Sequence, residues 1–105
     1  MATIKSTDEN FEKLKKEHKN LLIDFWAPWC SACLQISPAL EQISEEMNDV
    51  TIAKHNVEEE LNIPTKFSVR GLPTMILFVN GEQKAIKPGT TNKADLVDFL
   101  KKNKV

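Results

Sequence analysis

Two cysteines separated by two residues, Cys30 and Cys33, are the residues of this chain with the clearest capacity for chemistry. They follow an apolar stretch, 21–26, and a proline, and they begin a segment with helical spacing of apolar residues. A thiol at a helix N-terminus lies among unpaired backbone N–H groups at the positive end of the helix dipole, which favours the thiolate. Because the thiolate is the nucleophilic form, we predict that Cys30 attacks and that Cys33, its neighbour three residues along the helix, resolves by closing a disulfide.

Two other interpretations of the cysteine pair are open. A zinc site would need two further ligands, but the chain has no third cysteine and only two histidines, His18 and His55, which are far apart. The cysteines could also pack as small apolar residues. The order of strand, proline break and helix favours redox chemistry over both.

The segment from Asp24 to Cys33, D-F-W-A-P-W-C-S-A-C, with Pro38 five residues later, resembles the active-site segment of the thioredoxin family. Three downstream blocks support the resemblance at compatible spacing: V-R-G-L-P-T over 69–74, F-V-N-G over 78–81, and Gly89. The resemblance implies one domain over residues 1–105 with a thioredoxin fold. In this α/β fold a three-layer α/β/α sandwich has a mixed central sheet and the order β-α-β-α-β-α-β-β-α.

The apolar pattern predicts the elements that would position the cysteines. The run 21–26 is typical of a strand buried on both faces, and the spacing after it predicts a long helix that Pro38 should kink. Ser6 with Glu9 fits a capping box, which predicts a helix over 7–17. The remaining predicted strands cover about 3–5, 50–57, 74–79 and 83–87, with a short helix near residue 66 and a last one from about 92.

Asp24 is the one charged residue within the apolar strand. A carboxylate among apolar neighbours is costly to ionise, so we predict a raised pKa. The resemblance implies that Asp24 assists proton transfer from Cys33 and that Lys54 modulates it. An exposed edge position or a simple buried ion pair would be the structural alternatives for Asp24.

A client-binding surface is also implied by the resemblance. It would consist of Trp29, Gly71, Leu72, Pro73 and Gly89, with a cis peptide bond before Pro73. Trp29 offers flat apolar area beside the dithiol, and small residues let another backbone approach.

Several residues depart from the usual pattern or lie outside it. Ser31 and Ala32 stand where members of the thioredoxin family usually have glycine and proline. By this resemblance, we expect the replacement to make the dithiol less reducing. Leu34 replaces a common basic residue, and Pro88 stiffens the loop before the last glycine. His55 lies on the strand face opposite to Lys54, and we interpret it as structural.

Composition narrows the class of protein. The net charge of −1, from 14 basic and 15 acidic residues, offers no electrostatic footprint for nucleic acid. The first twenty residues lack the apolar segment of a signal peptide, and no stretch approaches a membrane span. We therefore expect a cytoplasmic monomer without cofactor or metal that contacts neither nucleic acid nor membrane.

The function predicted from these features is that of a protein-disulfide reductase. By resemblance its partners would be disulfide-containing client proteins and a thioredoxin reductase that restores the dithiol. Two alternatives remain open: a more oxidising exchanger or isomerase, and a redox-independent, chaperone-like binding module on the same fold.

Overall fold

A five-stranded mixed sheet lies at the centre of the computed structural model, which describes residues 2–105. The strands and helices follow one another in the predicted order. The elements are β1 (Ile4–Ser6), α1 (Phe11–Glu17), β2 (Asn20–Trp26), α2 (Ser31–Glu46), β3 (Thr51–Asn56), α3 (Asn62–Lys66), β4 (Thr74–Val79), β5 (Glu82–Pro88) and α4 (Lys93–Asn103).

The strand order in the sheet is β1-β3-β2-β4-β5, so β2 is the central strand. β3 runs parallel to both β1 and β2, whereas β4 is antiparallel to β2 and β5 is antiparallel to β4. All residues of β2 except the last are buried, as expected for a strand covered on both faces. The predicted strand at 74–79 is confirmed in full, and the turn after it contains two residues with positive φ, Asn80 and Gly81.

Each face of the sheet has its own apolar core. Alternation along β2 sends Leu22 to one face and Ile23 to the other. On the first face the core residues come from α2 and α4 as well as the sheet: Leu22, Ile36, Leu40, Ile43, Val50, Ile52, Met75, Leu77, Leu96 and Leu100. On the second face they include residues of α1 and α3: Phe11, Leu14, Leu21, Ile23, Phe25, Ala53, Ile63, Ile76 and Phe78. These two cores confirm the α/β/α sandwich.

The predicted start of α1 is wrong. The helix begins at Phe11, and Ser6 is the last residue of β1 rather than a helix cap. Its hydroxyl lies 2.9 Å from Nδ1 of His55. The turn before the helix is closed by Thr7 and Asn10 instead: each backbone N–H donates to the other's side-chain oxygen, at 2.7 and 3.0 Å.

Helix α2 is continuous from Ser31 to Glu46 and contains Pro38, as predicted. Its buried side is lined by Cys33, Ile36, Leu40 and Ile43, which lie three or four residues apart. The packing of this side against the sheet places the N-terminus of α2 at the end of β2. The two cysteines therefore lie at the start of a helix that packs against the sheet.

Candidate active site

Cys30 and Cys33 lie at the N-terminus of α2, a short loop beyond β2. Cys30 is the N-cap residue, and its Sγ accepts a hydrogen bond from the backbone N–H of Cys33 at 3.2 Å. The pair is joined as a disulfide with a Cα–Cα distance of 5.2 Å. Since the N-terminal N–H groups of a helix have no partner within it, the Cys30 sulfur occupies a position that stabilises negative charge.

The loop between β2 and α2 is fixed by backbone hydrogen bonds. The N–H of Cys30 donates to the carbonyl of Ala27 at 3.1 Å, and the carbonyl of Cys30 accepts from Leu34 at 3.1 Å. Ala27 is buried with the two cysteines in a small apolar cluster. The tight turn therefore ends β2 and starts α2 with Cys30 at the junction.

Asp24 lies on β2, inside the sandwich and fully buried. Neither of its carboxylate oxygens has a hydrogen-bond partner among residues 2–105. Burial raises the pKa of Asp24 from 3.8 to about 7, and the positive charge of Lys54 opposes this rise. The predicted rise in pKa is thus confirmed, and the alternative of an exposed edge position is wrong.

Lys54 lies directly opposite Asp24 in the register of β2 and β3. Its ammonium does not bond the carboxylate. Instead, Nζ donates a hydrogen bond to Oγ of Ser37 on α2 at 2.6 Å and lies 5.1 Å from the centre of the Trp26 ring. Ser37 is not among the site residues predicted from the sequence, although it lies one helical turn after Cys33.

Leu72 and Pro73 are joined by a cis peptide bond, as the resemblance implied. Pro73 is buried, and its carbonyl accepts a hydrogen bond from the N–H of Gly89 at 2.8 Å. Leu72 packs against the cluster that contains Cys30 and Cys33. The chain segments around residues 72 and 89 therefore meet beside the disulfide.

Trp29 projects from the loop before Cys30 with 67% of its surface exposed. Its indole Nε1–H donates to the Glu58 carboxylate at 2.8 Å, a contact that the sequence analysis missed. A pocket of ≈ 380 Å³ lies between Trp29, Gly71 and Leu72. Leu34, on the first turn of α2, is 53% exposed and adds to the apolar surface of this region.

His55 lies apart from this site, on the opposite face of the sheet. It is fully buried against the Phe25 ring, and its Nε2 lies 3.1 Å from the carbonyl oxygen of Glu60. Its pKa is lowered chiefly by burial, while the Glu60 carbonyl and the Asp8 carboxylate oppose that shift. The structural role predicted for His55 agrees with this position.

Within residues 2–105, no three His, Cys, Asp or Glu side chains come together in an arrangement that could hold a metal ion. In the same part of the chain, none of the helices combines the length and apolar character needed to cross a membrane.

Comparisons with known proteins agree with this geometry. The family model of thioredoxin matches residues 2–102. A thioredoxin from Buchnera aphidicola is 43% identical over 102 residues, covering 95% of this chain and 94% of the relative. One from Rickettsia bellii is 40% identical over 99 residues, covering 92% and 94%. A solved mutant thioredoxin from Halobacterium salinarum superposes with a TM-score of 0.88 at 27% identity, covering 99% of this chain and 90% of that one.

The mixed sheet, the layered helices and the vicinal cysteines at a helix N-terminus define a thioredoxin fold with a redox-capable pair. The chain belongs to the thioredoxin family. It is a protein thiol–disulfide oxidoreductase, and the redox-independent binding module is not favoured.

Proposed function

We propose that this protein reduces disulfides of client proteins in the cytoplasm, with Cys30 as the nucleophile and Cys33 as the resolving thiol. The observation that carries this proposal is the position of the Cys30 sulfur, which caps α2 and accepts the Cys33 N–H. A sulfur in this position is favoured as the thiolate, which is the nucleophilic form. Cys30 is also the more exposed of the two, at 7% against 2%.

The reaction proceeds by two displacements. The Cys30 thiolate attacks one sulfur of the client disulfide, so that a mixed disulfide forms and the other client sulfur leaves as a thiolate. The Cys33 thiol then gives its proton to Asp24 and attacks the Cys30 sulfur. The bond to the client breaks, the second client sulfur leaves, and the Cys30–Cys33 disulfide forms. The client has gained two electrons and the dithiol has lost two.

Asp24 is proposed as the group that takes the Cys33 proton. A pKa of about 7 leaves a substantial fraction of the carboxylate ionised at neutral pH, and such a carboxylate both accepts and returns a proton readily. Burial excludes water, and Lys54 is the cation that limits the rise in the pKa. Lys54 therefore modulates the proton acceptor.

Clients are proposed to bind over Trp29, Gly71, Leu72, Pro73 and Gly89. Trp29 and the two glycines are exposed, and Leu72 is half-buried beside the cysteine cluster. An extended client segment would pair with the backbone at Leu72, next to the attacked sulfur, and rest its side chains on Trp29.

A disulfide reductase dedicated to thioredoxins is the proposed source of electrons that restores the dithiol, and the protein is proposed to act as a monomer. This cycle would contribute to redox homeostasis in the cell. This direction of transfer requires a dithiol that is more reducing than the client disulfide, and a potential below that of the glutathione pool would meet this requirement for clients in equilibrium with that pool.

The experiment combines a potential with a trapping assay. The Cys30–Cys33 couple is equilibrated in glutathione buffers, and Cys33→Ser and Cys30→Ser variants are incubated with a disulfide-bonded client such as insulin. We expect a potential below that of the glutathione pool and a mixed disulfide that accumulates only with Cys33→Ser. A potential well above the pool would identify an oxidising exchanger, which Ser31 and Ala32 favour. Trapping by Cys30→Ser instead would reverse the assigned roles.

A further inference from the structure

The ammonium of Lys54 is held by a hydroxyl of the helix that carries the cysteines. Nζ donates to Ser37 Oγ at 2.6 Å, while the Asp24 carboxylate accepts no hydrogen bond from within residues 2–105. Ser37 is half-buried and lies one turn beyond Cys33 on α2. Lys54 therefore acts on Asp24 through its charge and not through a hydrogen bond, and its ammonium is bonded to Ser37.

A cavity beside Lys54 offers its ammonium an alternative position. The side chain lines a cavity of ≈ 350 Å³ together with Trp26, Asn56 and Glu59. A lysine has a long flexible stem and a strongly hydrated head, so without a fixed acceptor it will sample that cavity and the solvent. The hydrogen bond to Ser37 opposes this movement.

We propose that Ser37 is a positioning residue that holds the Lys54 ammonium near Asp24 and so controls how readily the carboxylate takes the proton of Cys33. The inference rests on the proposed role of Asp24 in proton transfer. The positioning itself is measured on the carboxyl group and does not depend on turnover.

Other charged side chains near Lys54 and Ser37 contact different partners. Lys5, opposite Lys54 in β1, lies 3.8 Å from Glu59. Glu41, one turn after Ser37, accepts hydrogen bonds from Thr3. The residue facing Asp24 on β4 is the uncharged Met75. The thiols of Cys30 and Cys33 do not titrate in the disulfide form.

The test is the pKa of Asp24 in the oxidised protein, followed by the NMR shift of its side-chain carboxyl carbon. An opposite charge at close range lowers a carboxyl pKa by about 1 unit or more, so Lys54→Met should raise it by about 1 unit. Ser37→Ala should raise it by about half a unit. Ser37→Thr retains the hydroxyl and should restore the wild-type value. Gln35→Ala, an exposed position on the same helix, is the matched control and should change nothing.

The double variant decides whether Ser37 acts through Lys54. Ser37→Ala combined with Lys54→Met should give the same pKa as Lys54→Met alone, since the hydroxyl then has no ammonium to hold. A Ser37→Ala variant with an unchanged or lowered pKa would overturn the proposal. So would a further rise on adding Ser37→Ala to Lys54→Met.

The pH dependence of the resolving step separates this proposal from the function it rests on. The release of client thiol from the mixed disulfide is measured against pH for wild type and Ser37→Ala, and the inflection should move up with the pKa of Asp24. If the pKa moves as expected but the inflection stays, the proton-transfer role of Asp24 is wrong, and control of proton uptake through Ser37 falls with it.

Discussion

Replacing Asp24 by asparagine should change the pH dependence of stability. Relative to wild type, the variant should be more stable at alkaline pH than it is at acid pH. The carboxyl group has a pKa of about 7 in the folded chain and an ordinary value of 3.8 when unfolded. Between these values the folded state keeps a proton that the unfolded state has lost. The contribution of Asp24 to the free energy of unfolding must therefore fall as the pH rises from about 4 to about 7.

The size of this effect follows from the difference between the two pKa values. Each pKa unit corresponds to about 1.4 kcal/mol, so full ionisation of the buried Asp24 costs about 4 kcal/mol of stability above pH 7. Between pH 5 and pH 8 the part that changes is about 2 to 3 kcal/mol. An asparagine does not titrate, so the Asp24→Asn variant should gain this amount relative to wild type over that interval.

The measurement is urea unfolding of the oxidised protein at pH 5 and pH 8, since the disulfide removes the thiols from the titration. Any fixed cost of burying the asparagine amide cancels in the difference between the two pH values. Asp98→Asn, at an exposed position on α4, is the matched control and should follow the wild-type profile. If wild type and Asp24→Asn run parallel between pH 5 and pH 8, the argument from burial is refuted.

Three further predictions follow from other contacts. His55→Gln should lose less stability than wild type when the pH falls from 7 to 5. The pKa of buried His55 is depressed, so the contribution of His55 to stability disappears as its imidazole binds a proton in the unfolded chain below about pH 6.5. Urea unfolding at the two pH values measures the losses, and equal losses would contradict the prediction. Asn20→Ala should lower the free energy of unfolding by about 2 kcal/mol, because the buried side-chain amide hydrogen-bonds the Asp49 carbonyl and both the N–H and the carbonyl of Val105. Asn48→Ala, at an exposed position, is the control and should change the free energy of unfolding by under about 0.5 kcal/mol. Trp29→Ala should raise the KM for a protein client roughly 10-fold. The reduction potential should stay unchanged, since the Trp29 side chain is exposed. A shifted potential would instead place Trp29 in the redox chemistry.

The central strand and the long helix were predictable because local pattern and tertiary role agree there. The unbroken apolar run of β2 and the spacing of Ile36, Leu40 and Ile43 on α2 leave few other solutions. The raised pKa of Asp24 followed from the same pattern, since an acid in the middle of such a run has to be buried. In both cases the pattern of apolar residues in the sequence is itself the cause of the burial.

The capping box shows where local pattern fails. Ser6 and Glu9 have the spacing of a helix start, yet the Ser6 hydroxyl bonds His55, which is 49 residues away. A buried imidazole nitrogen left without a partner would be costly, so a tertiary contact takes the hydroxyl from the local one. No sequence window around the helix contains His55, and the error could not have been avoided from that window.

The contacts of Lys54 and Trp29 were hidden for the same reason. Ser37 and Glu58 become partners only when the sheet register and the packing of α2 are known. Both hydrogen bonds join residues that are far apart in the sequence, and each involves a side chain that the sequence had already singled out. Prediction from sequence thus reached Lys54 and Trp29 but not their hydrogen-bond partners.

Strand alternation decides what each titratable group of β3 does. Lys54 and His55 are adjacent in sequence and both are cationic or potentially so, but they point to opposite faces of the sheet. Lys54 faces α2, where its charge lies near Asp24 and the cysteines, whereas His55 faces the core beside α1 and α3 and bonds Ser6. A slip of one residue in the pairing of β2 and β3 would exchange the two and put an imidazole beside Asp24. The register of the sheet is therefore as much a part of the redox site as the cysteine pair.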